Sequence, residues 1–177
     1  VAAECDYTPA YSSLANAYLP RWGGSHRKLL AFGEACVATG RFDTGVPIGF
    51  FQVLGNLDRD ANDIRALYKD PQIAPTVLKL SKALVDEPAR RSERRTRYCF
   101  LAINAWLAGD YATSAAALKE AGTAPFPKDT RSKLIKSGLD ENTFRGLVAA
   151  LSSPGAKQFI EAEAAYETGQ LDSAVKL

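Results

Sequence analysis

Apolar side chains recur at intervals of three and four residues along almost the whole chain, which is the spacing of one face of an α-helix. The segment 29–37 is typical, with apolar or small residues at positions 29, 30, 32, 33, 36 and 37. No stretch alternates apolar and polar residues with the β-branched enrichment that a half-buried strand requires. The pattern therefore predicts an all-α protein.

Capping residues, prolines and glycines mark the helix ends. Thr8 and Pro9 are typical of an N-cap followed by proline at the first helical position, and Ser25 and Asp140 are placed to cap later helices. The predicted helices cover residues 8–19, 25–39, 46–54, 60–69, 75–85, 89–108, 111–121, 128–137, 141–151, 154–168 and a last segment from 171. The sequence GTAPFP, residues 122–127, predicts a linker.

Three helix pairs share a pattern around a central glycine. Small and apolar residues precede the glycine on the first helix, an apolar or aromatic residue follows it two positions later, and small residues return on the second helix. Small residues let two helices cross closely, and the glycine supplies a left-handed turn. The central glycines are Gly109 in segment 98–121, Gly169 in segment 158–177 and Gly40 in segment 29–49.

This pattern resembles the tetratricopeptide repeat, a helix–turn–helix unit of about 34 residues. The resemblance implies antiparallel helical hairpins stacked into a right-handed solenoid. An irregular helical bundle is the alternative. We expect one helical-repeat domain over residues 1–177, with a candidate sub-boundary at 122–127. Because the sequence contains no methionine, we also expect it to be a fragment of a longer chain.

A second resemblance rests on the sequence LPRWGGS, residues 19–25, followed by Arg41-Phe42-Asp43-Thr44 and Val46-Pro47. These residues are similar to a bacterial protein family of unknown function that joins such a tryptophan–glycine signature to helical repeats. The resemblance implies a fold and no chemistry. Two interpretations of Trp22 stay open: a ring that plugs the loop beside two glycines, or an anchor that binds a partner together with Arg21.

Composition narrows the function classes. The chain has 22 basic and 20 acidic residues, a net charge of +2, so a general role in coating nucleic acid is not expected. No apolar run is long enough to span a bilayer, and we expect no membrane partner. Cys5, Cys36 and Cys99 match no zinc or disulfide spacing, which favours free thiols in the cytoplasm. A single disulfide and a periplasmic location are the alternative, if a signal peptide was removed upstream.

Catalytic and metal-binding motifs are missing from the sequence. The single histidine, His26, begins a predicted helix, and no P-loop or dinucleotide-binding glycine motif occurs. Residues 58–62 copy the first ligands of an EF-hand, but Asp63 replaces its glycine and Lys69 replaces its bidentate glutamate. We therefore expect no enzyme, no cofactor and no metal.

The sequence RRSERRTR, residues 90–97, places five arginines at the start of the longest predicted helix. A solvated helix face is one interpretation, and a patch that binds an acidic partner is the other. At 100° per residue, three of these arginines would share one face and two would form a neighbouring stripe. The candidate partner-binding residues are Arg21, Trp22, Arg90, Arg91, Arg94, Arg95 and Arg97.

The sequence thus predicts a non-enzymatic protein–protein interaction scaffold whose helical-repeat groove takes a peptide or protein, an acidic one in particular. Two alternatives stay open. One is a regulatory domain that binds a small anionic ligand. The other is an enzyme whose site is assembled from scattered residues.

Overall fold

The computed structural model describes residues 6–59, 64–153 and 155–156. Within these ranges the regular secondary structure is helical, and no strand is present. The α-helices are α1 Thr8–Ala17, α2 His26–Ala38, α3 Gly49–Asp58, α4 Ile64–Lys69, α5 Ala74–Asp86, α6 Arg94–Leu107, α7 Tyr111–Ala121, α8 Lys128–Lys136 and α9 Glu141–Leu151. Short 3₁₀ helices span Pro20–Trp22 and Pro88–Glu93. The all-α prediction is confirmed for the described part of the chain.

Several predicted boundaries are confirmed. Ser25 caps α2 by accepting a hydrogen bond from the backbone N–H of Lys28, and Asp140 caps α9 in the same way. Helix α7 has the predicted bounds. Several predicted features lie outside the described residues. They are the predicted helix at 154–168 apart from 155–156, the helix from 171, the segment around Gly169, residues 60–63 and Cys5.

The sixth predicted helix begins later than expected. Residues Pro88–Glu93 form a 3₁₀ helix with a break at Arg90, and the α-helix starts only at Arg94. The expected arrangement of five arginines on two α-helical stripes is therefore wrong. Pro88 begins a tighter turn, and Arg90 leaves the helical region with φ −108° and ψ 17°.

Helix α6 lies at the centre of the fold, and every residue from Leu101 to Leu107 is buried. A helix that is apolar all round must be surrounded by other helices. It packs most extensively on α7 and then on α5, and it also contacts α4 and α8. The Trp106 ring meets Phe144 edge-on, with ring centroids 5.8 Å apart, which ties α9 to the same core.

The α6–α7 hairpin has the predicted turn. Gly109 adopts φ +81°, a left-handed conformation that glycine reaches without a steric cost. Asp110 then caps α7 by accepting a hydrogen bond from the N–H of Thr113. Across the hairpin, the Ser114 hydroxyl donates to the carbonyl of Ala102 at 2.7 Å. These small residues let the two helices approach closely.

A second close crossing joins α2 to α3. A Cβ placed on Gly33 would lie 2.8 Å from the Phe50 ring and 3.2 Å from a Val53 methyl carbon. Glycine is therefore needed here for packing, although the backbone of Gly33 has ordinary helical geometry.

Cys36 and Cys99 are buried free thiols, and burial raises the pKa of both. The prediction of free thiols is confirmed for Cys36 and Cys99.

The segment 122–127 is held in place by side chains of α6 and α9. Arg95 donates to the carbonyls of Ala121, Ala124 and Pro125, and the Phe126 ring is buried against Phe144. The linker prediction is confirmed in that residues 122–127 contain no helix, and the structure adds that this connection is bonded to the core. A phenylalanine between two prolines supplies a large apolar side chain that the core takes up.

Replacement of Gly109 by valine tests the left-handed turn. A β-branched residue at φ +81° is strained, so Gly109→Val should lower the free energy of unfolding by about 2 kcal/mol or more. Gly146→Val in α9 is the matched control, because a Cβ there meets no atom within 4 Å. Urea unfolding should show the control within about 0.5 kcal/mol of wild type. Equal stability of the two variants would contradict the assigned role of Gly109.

Candidate functional site

A cavity of about 360 Å³ lies between α3, α4, α5, α6 and α8. Its walls are mainly apolar and come from all five helices. Cavities of this size and character are typical of sites for small molecules. The apolar residues that line it are Ile48, Phe51, Leu54, Ile64, Leu84 and Phe100.

Four polar side chains form a chain of hydrogen bonds in this cavity. Lys133 Nζ donates to Tyr68 Oη at 2.8 Å and also to Asn104 Oδ1. Asn104 Nδ2 in turn donates to Ser81 Oγ at 2.8 Å. Tyr68, Asn104 and Ser81 are buried, and Asn104 has 0% exposure. Buried polar groups are stable in a core only when they are bonded to one another in this way.

The central helix explains why these side chains meet. Asn104 is the one strongly polar residue in the buried stretch Leu101–Leu107 of α6, so its amide must find partners inside the protein. Helix α5 supplies Ser81 on one side, and α8 supplies Lys133 on the other. Helix α8 is anchored by Leu134, which is buried beside Lys133 in the sequence.

The ammonium group of Lys133 lies against aromatic rings rather than carboxylates. Its Nζ is 4.5 Å from the ring centroid of Tyr68 and 5.4 Å from that of Phe51, distances suited to cation–π contact. Among the described residues, no carboxylate oxygen comes within 4.0 Å of it. Asp58 also lines the cavity and acts on Lys133 only at longer range.

This environment shifts the pKa of both Lys133 and Tyr68. Burial lowers the pKa of Lys133 to about 7; the charge of Asp58 opposes this shift, and the charge of Lys136 adds to it. Burial and the charge of Asp58 raise the pKa of Tyr68, so its hydroxyl keeps its proton at neutral pH. With a pKa of about 7, Lys133 changes between its charged and neutral forms near neutral pH, so a small change in its surroundings alters its protonation state.

Arg97 adds a second basic group at the same cavity. One of its terminal nitrogens donates to Glu93, while its Nε is buried and has no acceptor among the described residues. Lys136 lines the cavity from the next turn of α8. The basic groups of the cavity thus come from α6 and α8, two helices that are far apart in the sequence.

The five arginines predicted as a partner-binding patch are placed differently from one another. Arg90 is half-buried and donates to the carbonyls of Phe42 and Thr44, at 2.8 and 2.6 Å. Arg95 holds the segment 122–127, as described above. The guanidiniums of both are thus engaged with backbone carbonyls of the same chain.

The other arginines of the run differ in exposure. Arg94 is exposed and lies over the ring of Tyr98, with 5.6 Å between its Cζ and the ring centroid. Arg91 is exposed, and none of the described residues binds its side chain. Arg97 reaches the cavity. The run is therefore not one continuous patch, and binding of a partner by its exposed members stays a prediction.

Trp22 does not plug its loop. Its side chain is 70% exposed, so that interpretation is wrong. The two glycines after it serve the backbone instead: Gly23 adopts φ +82°, and a Cβ on Gly24 would clash with the Tyr18 carbonyl. Arg21 is exposed beside Trp22 in the same 3₁₀ helix. Their proposed role as a partner anchor stays a prediction.

The sequence did not indicate the residues that carry this cavity. Tyr68, Asn104 and Lys133 come from three helices and form no local motif. One signal was available: an asparagine in the otherwise apolar sequence CFLAINAWL, residues 99–107, predicts a buried amide that needs partners. The identity of those partners required the packing of α5 and α8.

Comparison with protein-family models, with curated proteins and with solved structures gave no match for this chain. The two resemblances therefore stay predictions. No helix in the ranges described above combines the length and the apolar character needed to cross a bilayer. In those same ranges, no group of three or more His, Cys, Asp and Glu side chains is placed to hold a metal ion.

The half-buried side chain of Lys133 makes the free energy of unfolding depend on pH in a defined direction. Its folded pKa of about 7 lies below the ordinary 10.5, so between these values the unfolded chain binds more protons than the folded chain. The free energy of unfolding should therefore rise as pH increases from 7, and below pH 7 the full cost of burying the charge remains. Lys133→Met should lose this dependence, so wild type should gain about 2 kcal/mol relative to the variant from pH 7 to 9.

Urea unfolding of both proteins at each pH measures this difference, and Lys82→Met, on an exposed position of α5, is the control. The comparison is between the slopes of unfolding free energy against pH. The hydrogen bonds that the variant loses lower its stability equally at every pH, so they do not affect the slope. Parallel pH profiles for wild type and Lys133→Met would show that Lys133 titrates normally.

The arginine run allows a second comparison. Arg95→Gln removes contacts to three backbone carbonyls and should lower the free energy of unfolding by about 1 kcal/mol. Arg91→Gln changes the same charge at an exposed position and should stay within about 0.5 kcal/mol of wild type. Urea unfolding of both variants and of wild type at one pH measures these differences in the free energy of unfolding. If both variants lose the same amount, charge and not bonding explains the effect.

Proposed function

We propose that this domain binds, without catalysis, a small ligand with an apolar body and an anionic head, such as a medium-chain carboxylate. One observation carries the proposal: Lys133 Nζ lies in an apolar cavity with no carboxylate within salt-bridge distance among the described residues. Of the alternatives open from the sequence, this is the regulatory domain that binds a small anionic ligand.

The apolar body of such a ligand would cover the walls formed by α3, α4 and α5. Burial of apolar surface contributes about 25 cal/mol per Å². Phe51, Leu54 and Leu84 line this part of the cavity, so a flexible alkyl chain finds side chains of its own character on several sides. The walls favour a ligand with few polar groups along its body, because each buried polar group would need a partner.

The anionic head would pair with Lys133, and Arg97 and Lys136 add positive charge around it. Burial disfavours the charged ammonium and lowers the pKa of Lys133. A carboxylate beside it favours the charged form again. Binding of an anion should therefore be accompanied by uptake of a proton by Lys133 near neutral pH.

A protein–protein scaffold is the second candidate function. Its support is the exposure of Trp22 beside Arg21, a pair of residue types that is common at the centres of protein interfaces. We propose in this case a tetratricopeptide-like solenoid that presents its groove to an acidic peptide. The α6–α7 hairpin, with its left-handed glycine and close small-residue contacts, supports that arrangement.

The buried free thiols of Cys36 and Cys99 support a cytoplasmic location over a periplasmic one.

Calorimetric titration with octanoate tests the first function. If only the protein with charged Lys133 binds the anion, affinity should fall about tenfold between pH 6 and pH 8, because the pKa of Lys133 is about 7. The carboxylate itself stays ionised over this range. Octan-1-ol, which has the same chain and no charge, should bind with little dependence on pH.

A pair of glycine variants tests whether the ligand enters this cavity. Gly55 lines the cavity, and a Cβ there meets no atom within 4 Å, so Gly55→Leu should fill the space without disturbing the helix. Gly146→Leu is the same change on α9, away from the cavity. Octanoate binding should be lost in the first variant and kept in the second. Equal binding by both variants, or no binding by wild type at pH 6, would overturn the proposal.

A further inference from the structure

We propose that the side-chain amine of Lys133 condenses with the carbonyl group of a small apolar aldehyde, so that the cavity captures aldehydes covalently as imines. The inference rests on the proposed function, because the aldehyde must first enter the same cavity as the ligand described above. It adds a ligand class and a chemical step that simple ion pairing does not contain.

The hydrogen bonds around Lys133 can be made in full by a neutral amine. A neutral amine has two N–H bonds, and two acceptors are present, Tyr68 Oη and Asn104 Oδ1. A charged ammonium has three N–H bonds, and its third would have no acceptor among the described residues. With both N–H bonds directed to these oxygens, the lone pair of the nitrogen is left for a carbon electrophile.

Tyr68 is placed to assist at the carbonyl oxygen. Its hydroxyl oxygen accepts a hydrogen bond from Lys133, and no described side chain or backbone group accepts its own proton. That O–H is therefore a donor within hydrogen-bond distance of the amine. A carbonyl carbon next to Lys133 Nζ would place its oxygen near this donor, which polarises the carbonyl.

The step balances without any other reagent. The nitrogen lone pair forms a bond to the carbonyl carbon, and one proton moves from nitrogen to the oxygen, which gives a carbinolamine. Protonation of its hydroxyl, with Tyr68 as the donor, lets water leave while the nitrogen forms a double bond to carbon. The products are the imine and one water molecule, and Tyr68 regains its proton from the nitrogen of the protonated imine.

The charged and titratable groups around Lys133 favour its reaction over that of other lysines. With a pKa of about 7, about half of Lys133 is neutral at pH 7, whereas an ordinary lysine of pKa 10.5 is neutral in only about one part in 3,000. The charge of Lys136 disfavours a positive charge on Lys133, and the charge of Asp58 favours it. The titratable and charged groups that line the cavity with Lys133 are Asp58 from α3, Tyr68 from α4, Arg97 from α6, and Asp129 and Lys136 from α8.

Reductive trapping of the wild-type protein tests the proposal. Hexanal and sodium cyanoborohydride at pH 7 convert each imine into a stable secondary amine, and peptide mapping by mass spectrometry locates it. Lys133 should carry the hexyl group at least tenfold more often than exposed Lys82 or Lys119. An excess of octanoate should reduce the labelling of Lys133 and leave that of the exposed lysines unchanged.

Three variants sharpen the result. Tyr68→Phe keeps the ring against the amine and removes the hydroxyl, so labelling of Lys133 should slow by at least about tenfold. Gly55→Leu should prevent labelling of Lys133 by filling the cavity, and Gly146→Leu should not. Labelling at the same rate in Tyr68→Phe would overturn the role given to that hydroxyl.

Binding of hexan-1-ol, measured in parallel, separates the two proposals. If the alcohol binds and Lys133 is labelled no more than exposed lysines, covalent capture is wrong and the ligand cavity stands. If neither the alcohol nor octanoate binds and Lys133 is not labelled preferentially, both proposals are wrong. Preferential labelling that survives Gly55→Leu would also overturn the inference, because the reaction would then occur outside the cavity.

Discussion

Burial of helix α6 on all sides is the constraint on which the rest of the described structure depends. From Leu101 to Leu107 no face of this helix meets water, so α4, α5, α7, α8 and the ring of Phe144 on α9 must all pack against it. Helix α7 covers one face of α6 as part of a hairpin, because Gly109 and Asp110 reverse the chain between the two helices. The remaining helices then cover the faces that α7 leaves open.

One polar residue on that helix has consequences far from it. The buried amide of Asn104 can be satisfied only by groups on neighbouring helices, and it takes Ser81 from α5 and Lys133 from α8. Fixing Lys133 there brings an amine next to Tyr68 and to an apolar cavity. The requirement that buried polar groups be bonded thus assembles the candidate site, since no local motif encodes it.

The arginines illustrate how the same residue type is used for different purposes in one short segment. Arg90 and Arg95 bind backbone carbonyls at 2.5 to 3.1 Å and hold connecting segments in place. Arg97 reaches the cavity, and Arg91 stays in solvent. A guanidinium has several donors in a fixed plane, so it suits carbonyl groups that a helix does not bond. A run of like charges in a sequence therefore need not form one surface.

Periodicity, caps and glycines determined the local structure. The all-α class, the caps at Ser25 and Asp140, the bounds of α7 and the left-handed turn at Gly109 follow from interactions within a few residues, which a sequence displays directly. Sequence patterns also predicted the small residues that let helices cross, such as Gly33.

The tertiary structure alone decided where side chains lie relative to distant elements. It exposed Trp22, buried Phe126 in a segment that resembles a linker, and separated the five arginines. It also brought Tyr68, Asn104 and Lys133 together from three helices. The physical reason is that these outcomes depend on which helix faces meet. Capping and periodicity specify that a helix has a buried face, and only the packing of the whole core selects the side chains that share it.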